Sequence, residues 1–234
     1  MGRSTCSHLT RRIIENMKSF IKTYKHFFWT LLLLPLLFWF KYLEATNIPK
    51  FIIYSPLDDL IPFIPIFVIP YLLWFFYVAF GLIYTGLHSK KDFYRMLTFM
   101  GIAMAFSYTI YAIFPHGQNL RPVITGSDPF SLLIKHIYET DTSTNVCPSL
   151  HVINSIATHS ALRHSEAFSK IKYGKLASGL MLVFICMSTV LIKQHSIIDV
   201  AAGLVTGLVL YMFIYVIPEL KERKSYKKDF SPFM

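Results

Sequence analysis

Apolar residues along the chain gather into six stretches, near residues 27 to 43, 61 to 86, 93 to 114, 148 to 163, 175 to 192 and 197 to 217, with charged residues concentrated between them. Each approaches the roughly 20 residues that an α-helix needs to cross a bilayer. The pattern therefore predicts an all-α, polytopic membrane protein of six transmembrane helices. The first stretch is the weakest, because its uninterrupted apolar run from Phe27 to Phe40 has 14 residues and Lys41 must snorkel to the interface. A signal peptide is the alternative there. The 26-residue basic lead and the lack of a small-x-small cleavage site after Leu43 argue against it. The domain plan is a basic tail over 1–26, one membrane domain over 27–217 and a second basic tail over 218–234.

Composition agrees with this pattern. At 54% hydrophobic and 16% aromatic residues, with a mean hydropathy of +0.47, the 234-residue chain is more apolar than a soluble domain requires. The net charge of +10 does not argue for nucleic acid, since lysine and arginine on cytoplasmic loops account for such a balance in an apolar chain. The segments before His26, at 88 to 95, at 163 to 175 and after residue 217 hold 18 of the 23 Lys and Arg. By the positive-inside rule both termini are cytoplasmic, and the loops near 44 to 60, 115 to 147 and 193 to 196 face the other side. Cys6, Cys147 and Cys186 are too scattered to form a disulfide framework.

Two histidine segments fall on that extracytoplasmic side, Cys147-Pro148-Ser149-Leu150-His151 and His195-Ser196-Ile197-Ile198-Asp199. Proline suits a first helical turn, and a helix starting at Pro148 offers free amides and a positive dipole end to an anion, with the Ser149 hydroxyl as a further donor. A plain cap at Ser149 and an interfacial His151 are the structural alternative. His195 and Asp199 are four residues apart, which predicts that they share one face of the sixth helix near its outer end. A carboxylate accepting from Nδ1–H leaves Nε2 as a nucleophile; simple capping by Asp199 is the competing role. Arg121, ahead of Pro122, offers a guanidinium that grips phosphate in a bidentate fashion, and Lys193 adds a second outer cation; contact with lipid headgroups is the alternative for both.

The remaining polar residues are assigned structural roles. Phe130 to Tyr138 is expected to be a short interfacial segment serving as a linker. Asp58 and Asp59 are expected to cap a helix. His116 and His136 are read as interface residues, and His8, His26, His88 and His164 fall on the cytoplasmic side.

The ordered set Arg121-Pro122, Pro148-Ser149-x-His151 and His195 with Asp199 resembles the signature of the type-2 phosphatidic acid phosphatase superfamily. Within it, the spelling Pro-Ser-Leu-His with Lys-Gln-His-x-x-x-Asp is similar to the inositol-phosphorylceramide synthase branch. The resemblance implies a six-helix membrane enzyme in which His195 attacks phosphorus, Asp199 orients it, His151 protonates the leaving oxygen, and Arg121 and Ser149 hold phosphate. It also implies no metal and no other cofactor, a membrane lipid phosphate as substrate, and water or an alcohol as acceptor. Two cations of the family pattern are replaced, by Phe114 and by Thr189, and Lys193 is the candidate to stand in for one. Phosphatase and phospho-headgroup transferase are both compatible with these motifs.

Two other classes remain open. Two histidines and a carboxylate can form a metal triad, which the nearby Arg121 disfavours. A non-catalytic lipid binder is the second, disfavoured by three costly ionisable groups without a use. If His195 attacks while His151 protonates, the two rings need opposite protonation states. Activity should then be bell-shaped in pH around the reference value of about 6.5, whereas a flat profile from about pH 5 to 9, with chemistry rate-limiting, would contradict the pairing.

Overall fold

The computed structural model describes residues 21–230, with side chains to residue 224, and is mostly helical. The basic stretch before residue 21, with Cys6 and His8, and residues 231–234 lie outside the described part. Five of the predicted stretches form helices long and apolar enough to cross a membrane: Ile21–Thr46, Pro65–His88, Lys90–Ile113, Gly174–Leu191 and Ile197–Lys224. Their regular α parts are α1 (Leu33–Thr46), α3 (Val68–His88), α4 (Lys90–Ile113), α8 (Gly174–Leu191) and α9 (Ile197–Tyr211). Two one-turn helices, α2 and α7, cover Leu57–Leu60 and Glu166–Ser169. The weak first stretch gains length from a tighter 3-10 segment, Lys25–Leu32, that feeds α1. Helix α9 runs on through a π-helical stretch, Met212–Val216, into α10 (Ile217–Phe230), so the expected C-terminal tail is helical as far as Phe230.

The fourth predicted span behaves differently. It forms α6 (Leu150–His164), whose 15 residues fall short of the usual membrane crossing. This helix is the hub of the bundle and packs against α3, α4, α8 and α9. Its interior position explains its composition: Asn154, Ser155, Thr158 and Ser160 are all buried. The outer helices show the reverse, with Phe38, Phe76, Val205 and Phe213 more than 60% exposed. Large apolar side chains outside and hydroxyls inside are the arrangement expected of a protein solvated by lipid. With five apolar helices of sufficient length, this points to an integral membrane protein.

Close approach of α6 and α9 depends on a small-residue pair that the hydropathy pattern does not reveal. A Cβ on Gly203 would come within 3.0 Å of the Ser149 carbonyl and of Val152 Cβ, and one on Gly207 would run into Ile156 Cδ1. The Gly-x-x-x-Gly spacing thus lets the start of α6 lie directly against α9. That contact brings both histidine segments together: the Ser149 amide donates to the Asp199 carbonyl at 3.1 Å.

At this end of the bundle the loops are tied to one another. Phe51–Ile52 (β1) pairs in parallel with His116–Gly117 (β2), and Gly117 bridges to Thr144. His116 is buried here, its Nδ1 against the Phe114 carbonyl at 2.6 Å and its Nε2 accepting from the Cys147 amide at 2.8 Å. It is a structural residue at the junction of three loops. The interfacial segment is a helix, α5 (Pro129–Thr140), capped by Asp128, whose Ile134 and Ile137 pack on Val68, Tyr71 and Ile192.

Candidate active site

The chain reverses between α8 and α9 in a tight turn, with the amides of Gln194 and His195 both donating to the Thr189 carbonyl and Lys193 held at a φ of 55°. Thr189 therefore contributes its backbone to the turn. Ser196 then caps α9: its Oγ accepts from the Ile198 amide at 3.2 Å, while Asp199 Oδ2 reaches back to the Ser196 amide at 2.9 Å. This capping box satisfies amides that a helix start leaves without partners. The same oxygen lies 3.2 Å from His195 Nδ1. His195 and Asp199 thus meet as expected, but not as neighbours on a helix face, because His195 precedes the helix. The cap geometry folds the ring back over the first turn. The bond fixes Nδ1 as the protonated nitrogen and leaves Nε2 free.

Asp58 secures this turn from 138 residues away. Its Oδ2 accepts from Ser196 Oγ at 2.7 Å and its Oδ1 from the Ile197 amide at 2.8 Å. Capping is indeed its role, but the helix it caps is α9 and not its own. Lys193, expected at the phosphate, instead donates to the carbonyls of Asp58, at 2.7 Å, and Ile61. It holds the 58–61 loop against α9 and lines a separate cavity with Asp59, Tyr54 and Asn119.

His151 is in the first turn of α6, which begins one residue after Ser149; Pro148 lies before the helix, not within it. Its ring is held between Tyr71 and Trp74, at centroid distances of 4.6 and 4.4 Å, and faces His195 edge-on at 5.6 Å. Both histidines line a cavity of 350 Å³ together with Asn145, Asn154, Gln194 and Asp141. Several buried polar atoms in and beside it lack partners among the described residues, including Asn145 Nδ2, Trp74 Nε1, Asn154 Oδ1 and Ser149 Oγ. Natural structures leave few such atoms unsatisfied, and a cluster around one cavity marks a place built to receive a polar group.

Arg121 stands behind this wall. Its guanidinium donates to the carbonyls of Tyr138, at 2.9 Å, and Asp141, at 2.6 Å, and to Gln194 Oε1, and it stacks on the Tyr138 ring. Its Nε–H is left without a partner. Burial pulls its pKa below the ordinary guanidinium value, with the nearby Asp141 opposing the shift. Gln194 carries the connection onward by donating to Tyr71 Oη and Asp141 Oδ2, both at 3.3 Å.

Sequence reasoning missed Asp141, Gln194, Asn145 and Tyr71. Only Gln194 lay next to a motif residue; the others come from segments whose registers are set by tertiary contacts. His136 is exposed, and Phe114 stacks on Phe51, so neither enters the cavity. Burial pushes the Cys147 thiol up to about 12, with Asp199 reinforcing the shift, which keeps it protonated and a poor nucleophile. Among the described residues no three His, Cys, Asp or Glu side chains converge as a metal-ligand set. No family model, curated protein or solved structure matches the chain.

Replacing Asp58 by Ala strands two donors on the helix start and one on Ser55. A loss on the order of 3 kcal/mol is expected in unfolding measured in detergent, with Asp58→Asn, which keeps one acceptor, intermediate. Wild-type stability in Asp58→Ala would contradict the tertiary cap.

Proposed function

We propose that the chain is an integral-membrane lipid phosphatase or phosphotransferase that works through a phosphohistidine on His195. The observation that carries this reading is the oriented pair His195–Asp199 facing His151 across a cavity lined by unpartnered polar atoms. The motif resemblance to the type-2 phosphatidic acid phosphatases, carried by the same residues, agrees with it. In this reading six helices cross the membrane, with α6 as the short fourth span, and both termini are cytoplasmic. Two facts support that orientation: the lysine and arginine distribution, and the location of His88, Arg95 and His164 around a cavity at the other end of α3, α4 and α6.

The substrate phosphate lies against His195 at the extracytoplasmic end. Nε2 attacks phosphorus in line while Asp199 stabilises the growing positive charge through Nδ1–H. His151, in its protonated form, gives its proton to the departing oxygen and then takes one from the incoming water or alcohol. Asn145 Nδ2 and Trp74 Nε1 line the cavity as unpartnered donors for phosphate and Ser149 Oγ lies beside it, while Arg121, behind the wall, adds its positive charge and orients Gln194 and the Asp141 carbonyl. Lys193 holds the 58–61 loop and does not meet the phosphate. No metal is used.

The test is turnover of radiolabelled phosphatidic acid, phosphatidylinositol and phosphatidylethanolamine in liposomes containing the purified protein and a chelator. Release of phosphate or movement of label to another lipid is expected with the wild type, and a loss of about 10³-fold or more in His195→Ala. Equal turnover by the two proteins, or activity abolished by the chelator, would contradict the reading.

A further inference from the structure

His116 ties the Pro148-Ser149-Leu150-His151 segment to the loops around the cavity, and both of its ring nitrogens are engaged. Nδ1 lies 2.6 Å from the Phe114 carbonyl, which can only accept, so Nδ1 carries a proton. Nε2 lies 2.8 Å from the Cys147 amide, which can only donate, so Nε2 keeps its lone pair. The ring is thereby held as one neutral tautomer, and at 1% exposure no solvent can substitute for either partner. Its backbone belongs to the same junction, since the Asn145 amide donates to the His116 carbonyl at 2.8 Å.

A second proton has no acceptor here. It would set an Nε2–H against the Cys147 N–H, two donors 2.8 Å apart, and bury a positive charge. Around the ring, α4 contributes Tyr111, edge-on at 5.6 Å with its hydroxyl on the Pro148 carbonyl, and beyond its end Phe114, also at 5.6 Å. The 142–147 loop contributes the Cys147 thiol, which burial keeps protonated. The charged groups of the neighbouring elements are occupied elsewhere or exposed. Lys50 beside β1 is exposed, and Glu44 of α1 bonds Lys41 and Thr142. Asp141 Oδ2 accepts from Tyr71 and Gln194, and Asp199 Oδ2 of α9 meets His195 and the Ser196 amide. Among the described residues none of them forms an ion pair or hydrogen bond with the His116 ring.

We propose that His116 is a positioning residue with a proton-sensitive hold on the site: as a neutral ring it fixes the Cys147 amide, and with it Ser149 and His151, and its protonation releases that segment. Two residues after Cys147, the Ser149 amide is bonded to the Asp199 carbonyl, and four residues after it His151 faces His195. Losing the Cys147 bond loosens the start of α6, while α9 stays capped by Asp199 and Asp58. The folded state binds the neutral ring, so the hold is present above the range in which an imidazole gains its second proton, about pH 5 to 8, and is lost as pH falls through it. The hold stands on hydrogen-bond geometry and operates whether or not His195 forms a phosphohistidine.

The test is hydrogen exchange of the full chain in detergent micelles, read by mass spectrometry from about pH 8 to about pH 5 and expressed as protection relative to the intrinsic rate at each pH. Peptides covering residues 143–151 are expected to lose about tenfold or more of their protection as pH falls, while peptides from the turn between α8 and α9 keep theirs. In His116→Gln, whose amide oxygen accepts from Cys147 but takes up no proton, protection of 143–151 should be the same at both ends of the range. Exchange of the carbon-bound C2 hydrogen of His116, followed in the wild type, reports protonation of the ring itself and should titrate where the peptides open. Protection of 143–151 that is flat in the wild type, falls equally in His116→Gln, falls together with that of the turn, or falls where the His116 ring does not titrate overturns the proposal.

Discussion

One carboxylate oxygen, Asp199 Oδ2, closes the N-terminus of α9 on the Ser196 amide and fixes the His195 ring through Nδ1. A helix start needs its free amides satisfied, and a nucleophilic imidazole needs one tautomer and one orientation. Here both needs converge on the same atom, so the geometry of the candidate nucleophile follows from folding of the helix. Asp58 reinforces the arrangement through Ser196 Oγ and the Ile197 amide, and Lys193 anchors the loop that carries Asp58. The turn from residue 189 to 199 is thereby held from within and from a distant loop, which is how a reacting group gains the rigidity that preorganised chemistry requires.

The second constraint is the reversed polarity of the bundle. Helices α1, α3, α8 and α9 present apolar side chains outward, so the buried hub α6 is free to be short and rich in Asn, Ser and Thr. Its first turn then carries His151 into the cavity between Tyr71 and Trp74, while Gly203 and Gly207 let α9 approach closely enough to join Ser149 to Asp199. The packing that makes the hub also brings two motifs 44 residues apart in sequence to a ring separation of 5.6 Å.

The five long apolar helices and the helical class were legible because composition and segment length decide them. The meeting of His195 with Asp199 was legible too, although for a different reason: four-residue spacing works at a capping box as it does along a helix face. What the sequence did not show depends on long-range partners. Arg121 could be recognised as a guanidinium near the site, but its attachment to the end of α5 and to Gln194 arises only when the 115–147 loop folds over the turn. Lys193 had the charge suited to phosphate, yet the left-handed residue it occupies turns it toward the Asp58 loop. Asp141 and Asn145 carry no local pattern, and only the cavity they share with His151 and His195 gives them meaning.

The most direct measurement is a rapid quench of the protein during lipid turnover, followed by mass spectrometric location of the phosphorus adduct. An acid-labile, base-stable adduct on His195, absent in His195→Ala, is the expected result, since N–P bonds of imidazole are formed by nucleophilic attack of Nε2. Label on Ser149, Cys147 or Asp141, or continued turnover with no adduct on His195, would contradict it.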